Sequence, residues 1–150
     1  MKYKKIIRYL ICLLPWFISS LIFKVDTQYY KGLNLPFFAP PSIVFPIIWT
    51  ILYILISISI YIISYKDNIS SNYKILLGIN YLSNQLYTLC FFIIKNNFLA
   101  FCDALIVFLS SLYLYLETKK YDENASKMII PYILWNLFAT ILSFAIFIIN

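Results

Sequence analysis

The chain alternates between long apolar runs and short polar segments. Each apolar run holds roughly 20 residues, which is enough helix to cross the hydrocarbon core of a bilayer at about 1.5 Å of rise per residue. The runs cover residues 6–23, 42–65, 75–94, 98–116 and 128–149. The pattern therefore predicts five transmembrane helices.

The polar segments between the runs predict how the helices connect. Residues 24–39 form the longest loop, and the sequence PFFAPPS at residues 36–42, which includes Pro41, leads from it into the second run. The segment KNN at residues 95–97 is so short that the helices on either side must be antiparallel neighbours.

Composition supports a membrane protein over a soluble one. The chain is 63% hydrophobic and only 12% charged, whereas a soluble domain carries about 25% charged residues. We expect an all-α membrane protein in which residues 1–150 form a single five-helix domain. The basic start also fits a signal peptide, but no small-residue cleavage site follows it.

The distribution of positive charge predicts the orientation. With the N-terminus in the cytoplasm, nine Lys and Arg residues lie on the cytoplasmic side and three on the other. Cytoplasmic loops carry the excess of such residues, so the C-terminus and the long first loop are expected outside. Because the cations sit at span ends rather than in one basic surface, the net charge of +6 does not favour nucleic-acid binding.

The inventory of reactive side chains excludes several kinds of site. The chain has no histidine and three cysteines, all inside apolar runs. His-ligated metals, His-ligated haem and His-based acid–base catalysis are excluded. We expect no metal site, no resident cofactor and no disulfide framework.

One face of the second run combines proline with large aromatic side chains. Pro46, Trp49 and Tyr53 recur at three- and four-residue spacing, so they share one side of a helix. Pro41 and Pro46 stand at its start, where a proline costs few backbone hydrogen bonds. Trp49 lies deeper than an interfacial tryptophan normally does, so it either packs between helices or lines a cavity.

The third run carries carboxamides, which need partners in hydrocarbon. Asn80, Asn84 and Tyr87 form one stripe, and Gln85 lies on the next. These amides either join the helices to one another or face a ligand.

The fourth and fifth runs add two further features. Asp103 is the one carboxylate within a predicted span, and no cation lies in any span to pair with it. It is expected to accept hydrogen bonds from hydroxyls or helix-start amides, or to stay protonated. Trp135 and the small Ala139 share a face of the fifth run, which permits close helix packing or room for a flat ligand.

Four blocks of sequence together resemble the TspO family, which comprises bacterial tryptophan-rich sensory proteins and the mitochondrial translocator protein, also called the peripheral benzodiazepine receptor. The blocks read PPSIVFPIIWTILY, NYLSNQLYTLCFF, AFCDALIVF and IIPYILWNLFATILSF. The similarity extends over nearly the whole chain in the same order and is weakest in the first run.

The resemblance implies a dimeric five-helix bundle with a pocket between the helices, below the first loop. It implies ligands such as protoporphyrin IX, sterols and benzodiazepine-site compounds. The residues that match the family's pocket are Tyr30, Pro41, Trp49, Tyr53, Asn84, Gln85, Tyr87, Trp135 and Ala139. Asp103 matches the family's fourth-span acid, and with Asn80 we assign it to a structural polar network.

Some positions depart from the family pattern. Tyr87 stands where many members have tryptophan, Leu99 replaces a tryptophan found in some, and the end of the fifth run, FAIFIIN, lacks the tyrosine and basic residue of the sterol motif. The sequence of the fifth run therefore gives no support to sterol binding.

Three functions follow from these features. The first is a receptor or sensor that binds porphyrin-type and other flat hydrophobic ligands. The alternative is an enzyme that degrades porphyrin with light and oxygen, with Trp49 and Trp135 as its reactive groups. A transporter is disfavoured by the lone Asp103 and by spans that look uninterrupted. The composition suggests a bacterial multi-pass protein of the cell membrane, and the resemblance implies a homodimer that binds a small-molecule ligand.

Overall fold

The computed structural model describes residues 2–150, and these form helices joined by short loops, with no strand in that range. The regular α-helices are α1 Lys2–Leu13, α2 Ile18–Ile22, α3 Thr27–Gly32, α4 Val44–Ile63, α5 Ser71–Thr88, α6 Asn97–Lys119, α7 Glu123–Lys127 and α8 Ile130–Ile149. The all-α class predicted from the sequence is confirmed.

The first apolar run is not a uniform α-helix. A 3₁₀ turn, Leu14–Phe17, separates α1 from α2. Pro15 lies in this turn, and because proline has no backbone N–H and its ring clashes with the preceding turn, it breaks the α-helical ladder. The expectation of uninterrupted spans, which counted against a transporter, is wrong here.

The third apolar run is also irregular. After α5 the chain continues through the π-helical turn Leu89–Ile93 and reverses at Lys95, whose φ is 56°. Asn96 then caps α6 by accepting a hydrogen bond from the Leu99 amide at 3.0 Å. As the KNN segment predicts, α5 and α6 pack against each other as antiparallel neighbours.

Four helical segments are long and apolar enough to cross a membrane: Tyr3–Ile22, Val44–Ile63, Asn97–Lys119 and Glu123–Ile149. The third predicted span, 75–94, is not among them. Its helix is less apolar than the other long helices because it carries several polar residues.

The contacts between loops define two ends of the bundle. At one end, the Arg8 guanidinium lies 4.2 Å from the Tyr65 ring centroid, and Lys66 pairs with Asp122 at 2.9 Å. At the other end, Lys95 pairs with Asp26 at 3.1 Å. The chain segment 71–93 therefore connects the Lys66 end to the Lys95 end.

Two short helices lie in segments that the sequence predicts only as polar loops. Asp26 caps α3 and Asp122 caps α7, each by accepting a hydrogen bond from a backbone amide three residues later. Helices of five or six residues carry too little periodicity to be recognised in a sequence.

Candidate ligand-binding site

A cavity of about 510 Å³ lies between α2, α4, α5, α6 and α8. Its volume is within the range of roughly 300–1,000 Å³ that is typical of small-molecule sites. None of the described residues that line it carries a formal charge. The cavity therefore suits a ligand whose body is uncharged.

The wall formed by α4 follows the predicted face. Pro46, Trp49 and Tyr53 all line the cavity, and the rings of Trp49 and Tyr53 have centroids 5.5 Å apart at an interplanar angle of 35°. Of the two alternatives for Trp49, packing between helices or lining a cavity, the structure places it on the cavity wall.

Trp16 forms part of the same wall and was not selected from the sequence. Its side chain is 2% exposed, and it stacks on Tyr53 with centroids 5.5 Å apart and an interplanar angle of 28°. One sequence feature could have pointed to Trp16, namely the proline directly before it inside an apolar run. Pro15 produces the turn in which Trp16 lies.

The wall formed by α5 contributes Asn84 and Tyr87. The Tyr53 hydroxyl donates to Asn84 Oδ1 at 2.8 Å, and Asn84 Nδ2 donates to the Tyr132 hydroxyl at 3.2 Å. Tyr87 stacks on Phe91 with an interplanar angle of 11°. The asparagine thus anchors an aromatic side chain of the neighbouring wall.

Asn80 continues this polar network away from the cavity. Its Oδ1 accepts from the Tyr132 hydroxyl at 2.9 Å, and its Nδ2 donates to Ser110 Oγ at 2.9 Å and to the Val107 carbonyl at 3.0 Å. Asn80 is fully buried, so it joins α5, α6 and α8.

The α8 wall is displaced from the predicted one. Ala139 lines the cavity together with Asn136 and Leu142, whereas Trp135 does not. The Trp135 ring packs instead against Phe45 and Phe138, with centroids 6.2 and 5.2 Å away. Trp135 therefore supports the wall from behind.

Gln85 also lies behind the wall. Its Oε1 accepts from the Ser19 amide at 2.7 Å, and its Nε2 donates to the Trp16 carbonyl at 3.3 Å. The side chain is buried and bridges α5 to the first span. The sequence predicted that this amide joins helices or faces a ligand. In the structure it joins helices, through the backbone of Trp16 and Ser19.

Asp103 does not join the polar network of Asn80, and no hydroxyl or helix-start amide in the described part of the chain binds it, so of the two expectations for its carboxyl only protonation is left. The residue is 8% exposed, and its Oδ2 has no hydrogen-bond partner among residues 2–150. It does not line the cavity. An unpaired buried carboxylate is costly when it is charged.

The loop between the first and second apolar runs covers one end of the cavity. Tyr30 is 5% exposed, and its ring meets Phe45 edge to face with centroids 5.4 Å apart. Its hydroxyl donates to the Pro40 carbonyl at 3.0 Å. Pro41, the predicted rim residue, follows directly and is exposed.

Asp26 ties this loop to the neighbouring turn. The Tyr29 backbone amide, and then the Lys95 ammonium, hold the pKa of the Asp26 carboxyl below its usual range. The Tyr29 hydroxyl adds a bond to Asn97 Oδ1 at 3.1 Å. The loop is therefore fixed over the cavity by contacts with the segment 95–97.

Comparison with known proteins finds similarity along the whole chain. The sequence model of the TspO/MBR family matches residues 9–149. The "Tryptophan-rich protein TspO" of Bacillus cereus is 33% identical over all of this chain and 99% of its own. An uncharacterised membrane protein of Bacillus subtilis, YtaB, is 37% identical over 85% of this chain and 84% of its own. The "Tryptophan-rich sensory protein" of Cereibacter sphaeroides is 28% identical over 78% of this chain and 73% of its own.

Proposed function

The chain belongs to the TspO/MBR family and is a multi-pass membrane protein, and from this premise we propose that it is a receptor or sensor for flat hydrophobic ligands. Porphyrin-type molecules such as protoporphyrin IX are the ligand class that the resemblance implies. The ligand occupies the cavity between the helices, stacks on its aromatic walls and is held without a metal or resident cofactor.

One observation carries this proposal: a cavity of about 510 Å³ that is lined by aromatic side chains of α4 and α5 and by no described residue with a formal charge. Sites of this kind bind molecules with large apolar faces. Flat ring systems stack on Trp and Tyr side chains, and such contacts add about 0.5–1.5 kcal/mol per pair beyond the area that they bury. The carboxylates of a porphyrin lie at the mouth of the cavity, near the polar first loop.

The predicted ligand-binding residues divide into two groups in this proposal. The first group lies on the cavity wall and contacts the ligand: Tyr30, Trp49, Tyr53, Asn84, Tyr87 and Ala139. The second group acts from the rim or from behind the wall: Pro41, Gln85 and Trp135.

We further propose a single domain of five membrane spans with the N-terminus in the cytoplasm and the C-terminus outside. The span that completes the five is the third in the chain, predicted at residues 75–94, and its support is that the helical segment 71–93 runs between the two ends of the bundle defined by Lys66 and Lys95. The excess of nine cations over three supports the orientation. The resemblance also supports a homodimer in the cell membrane.

Light-dependent oxidation of a bound porphyrin is the second candidate function. The observation in its favour is that Trp16, Trp49 and Tyr53 form one cluster of oxidisable rings at the cavity wall, with Trp16 and Trp49 each 5.5 Å from Tyr53 between ring centroids. In this function the bound ring absorbs light, and oxygen is the oxidant. Trp49 is then the reactive residue, whereas Trp135 has no direct contact with the ligand.

The test compares binding and bleaching in the same samples. The purified protein in lipid nanodiscs is titrated with protoporphyrin IX in darkness, and the quenching of tryptophan fluorescence is recorded. We expect Trp49→Phe to weaken binding more than the matched variant Trp135→Phe, because Trp49 alone of the two lines the cavity.

Illumination of the saturated samples then separates the two functions. Binding without loss of porphyrin absorbance supports the receptor and rejects the enzyme. Light-dependent bleaching that is lost in Trp49→Phe supports the enzyme. If protoporphyrin IX quenches the tryptophan fluorescence of the wild-type protein no more than it quenches free tryptophan mixed with empty nanodiscs, the binding proposal is wrong.

A further inference from the structure

The first span consists of two parts that pack on different neighbours. Before the Pro15 turn, α1 packs against α4, and after the turn, α2 packs against α5. A proline inside an apolar run changes the direction of the helix axis. The Pro15 turn therefore directs α2 away from α4, the helix that α1 packs against.

Side chains of α5 hold this diverted segment in place. Gln85 binds both the Ser19 amide and the Trp16 carbonyl, at 2.7 and 3.3 Å, and the Tyr81 hydroxyl donates to the Pro15 carbonyl at 3.0 Å. In an unbroken helix, backbone groups like these pair within the helix. Inside a membrane, neighbouring side chains must replace the lost bonds.

Next to the diverted α2, exposed residues of both α2 and α4 belong to the cavity wall. Ser20 on α2 and Pro46 and Thr50 on α4 line the cavity, and each of these residues is exposed. All three lie in apolar runs that the sequence assigns to the membrane. We call the gap between these three residues the side opening.

The edges of the side opening are apolar although two of its residues carry hydroxyls. The Ser20 hydroxyl donates to the Phe17 carbonyl and the Thr50 hydroxyl to the Pro46 carbonyl, both at 2.7 Å. Each hydroxyl is thus turned into its own helix. Because both hydroxyls are already bonded to their own helices, a hydrophobic ligand can pass these residues without leaving a hydroxyl unpaired.

We propose that ligands enter and leave the cavity from the bilayer through the side opening, and that Gln85 is the positioning residue that keeps it open. This inference rests on the proposed binding function. Without Gln85, α2 is free to pack against α4 and narrow the opening. Both the uptake and the release of ligand then become slower.

The experiment measures both rates in darkness, using the full chain in nanodiscs. Protoporphyrin IX is the probe, and stopped-flow quenching of tryptophan fluorescence gives the association rate. Release is followed after mixing with an excess of empty vesicles. Thr50→Phe narrows the opening without adding a tryptophan, and Ile51→Phe, on an adjacent exposed side chain that does not line the cavity, is its matched control.

We expect Thr50→Phe to slow association and release together by about tenfold, the change produced by about 1.4 kcal/mol of added barrier, while Ile51→Phe keeps the wild-type rates. Gln85→Leu should slow both rates in the same way relative to the lipid-facing control Leu82→Ala. A purely structural loss in Gln85→Leu would instead lower the amount of binding without slowing both rates. Tyr81→Phe, which removes one hydroxyl, should show a smaller effect in the same direction and remains usable if Gln85→Leu does not fold.

The outcomes separate this inference from the binding function. If protoporphyrin IX does not quench the tryptophan fluorescence of the wild-type protein, the proposed binding function is wrong. If it binds but Thr50→Phe matches Ile51→Phe, or if Thr27→Phe at the loop side slows binding instead, the ligand does not use the side opening. If Gln85→Leu has the same rates as Leu82→Ala, Gln85 does not hold the opening.

Discussion

Replacement of Asn80 by leucine tests whether the interior amides hold the helices together. Leucine has the same branched skeleton of four non-hydrogen side-chain atoms, so the substitution leaves no cavity, and it removes three hydrogen bonds, at 2.9, 2.9 and 3.0 Å. The Ser110 hydroxyl still donates to the Val107 carbonyl at 3.1 Å. The Tyr132 hydroxyl alone loses the acceptor for its proton.

The expected cost follows from measured bonds between membrane helices. These average about 0.6 kcal/mol and reach about 1.7 kcal/mol, so three bonds give about 2 kcal/mol and at most about 5 kcal/mol. Because the Val107 and Ser110 groups keep a partner, we expect Asn80→Leu to lower the free energy of unfolding by about 2 kcal/mol. Ligand affinity should stay unchanged, since Asn80 does not line the cavity.

The assay is reversible unfolding by sodium dodecyl sulfate in lipid bicelles, followed by circular dichroism. Ile79→Ala is the control on the same helix, because Ile79 is 43% exposed. A double-mutant cycle with Tyr132→Phe isolates the bond between Asn80 and Tyr132, since partners in one network are non-additive. A loss in Asn80→Leu no larger than in Ile79→Ala, with additive effects in the cycle, would refute the reasoning.

Three further predictions concern stability. Asp103→Asn should raise the melting temperature in nanodiscs more at alkaline than at acid pH, because only the deprotonated carboxylate carries a charge that is costly when buried without a partner; a lower melting temperature at alkaline pH would mean that the carboxylate has a stabilising partner. Trp16→Ala should lower the free energy of unfolding by about 3–5 kcal/mol, more than Trp135→Ala does, because Trp16 is 2% exposed and Trp135 only half-buried; equal losses in bicelle unfolding would contradict this. The Lys66 ammonium and the Ala125 amide hold the pKa of Asp122 below its usual range. The Lys66–Asp122 ion pair therefore contributes its full stability well above the ordinary aspartate pKa of about 3.9. This stability is lost as the pH falls through the lower pKa that Asp122 has in the folded protein. Melting curves from pH 7 to pH 3 should therefore show a smaller acid-induced loss in Asp122→Asn than in the wild type, and parallel losses would exclude the pair.

The α4 wall was predictable because its residues belong to one regular helix. Pro46, Trp49 and Tyr53 are three and four positions apart, and an undistorted helix keeps such residues on one side. The helical class was predictable for the same reason. The position of Trp16 was not, because a 3₁₀ turn changes the angular spacing of side chains, and the sequence shows only that a proline is present.

The partners of the polar side chains were the other limit of sequence reasoning. Asn84 and Gln85 are neighbours in the chain and both looked suited to a ligand. One anchors Tyr53 at the cavity wall and the other binds the backbone at Ser19. Spacing gives the direction of each amide on its own helix, whereas the choice between ligand and protein depends on which groups the neighbouring helices present.

Trp135 and Ala139 show the same limit on α8. They are four residues apart and so share a face, but this face is broad enough to border both the cavity and the packed aromatic cluster of Phe45 and Phe138. The lining stripe runs through Asn136, one residue away from the tryptophan. An error of one position turns a residue by about 100° and moves it off the cavity wall.

The most direct test of the central claim is to fill the cavity and measure binding. Ala139→Phe places a ring in the cavity, and Leu137→Phe places the same ring on an exposed position of the same helix. Overpacking costs about 1–3 kcal/mol, so we predict that Ala139→Phe weakens dark binding of protoporphyrin IX by about tenfold or more, while Leu137→Phe binds like the wild type. Equal affinity of both variants and the wild type would show that the ligand does not occupy this cavity.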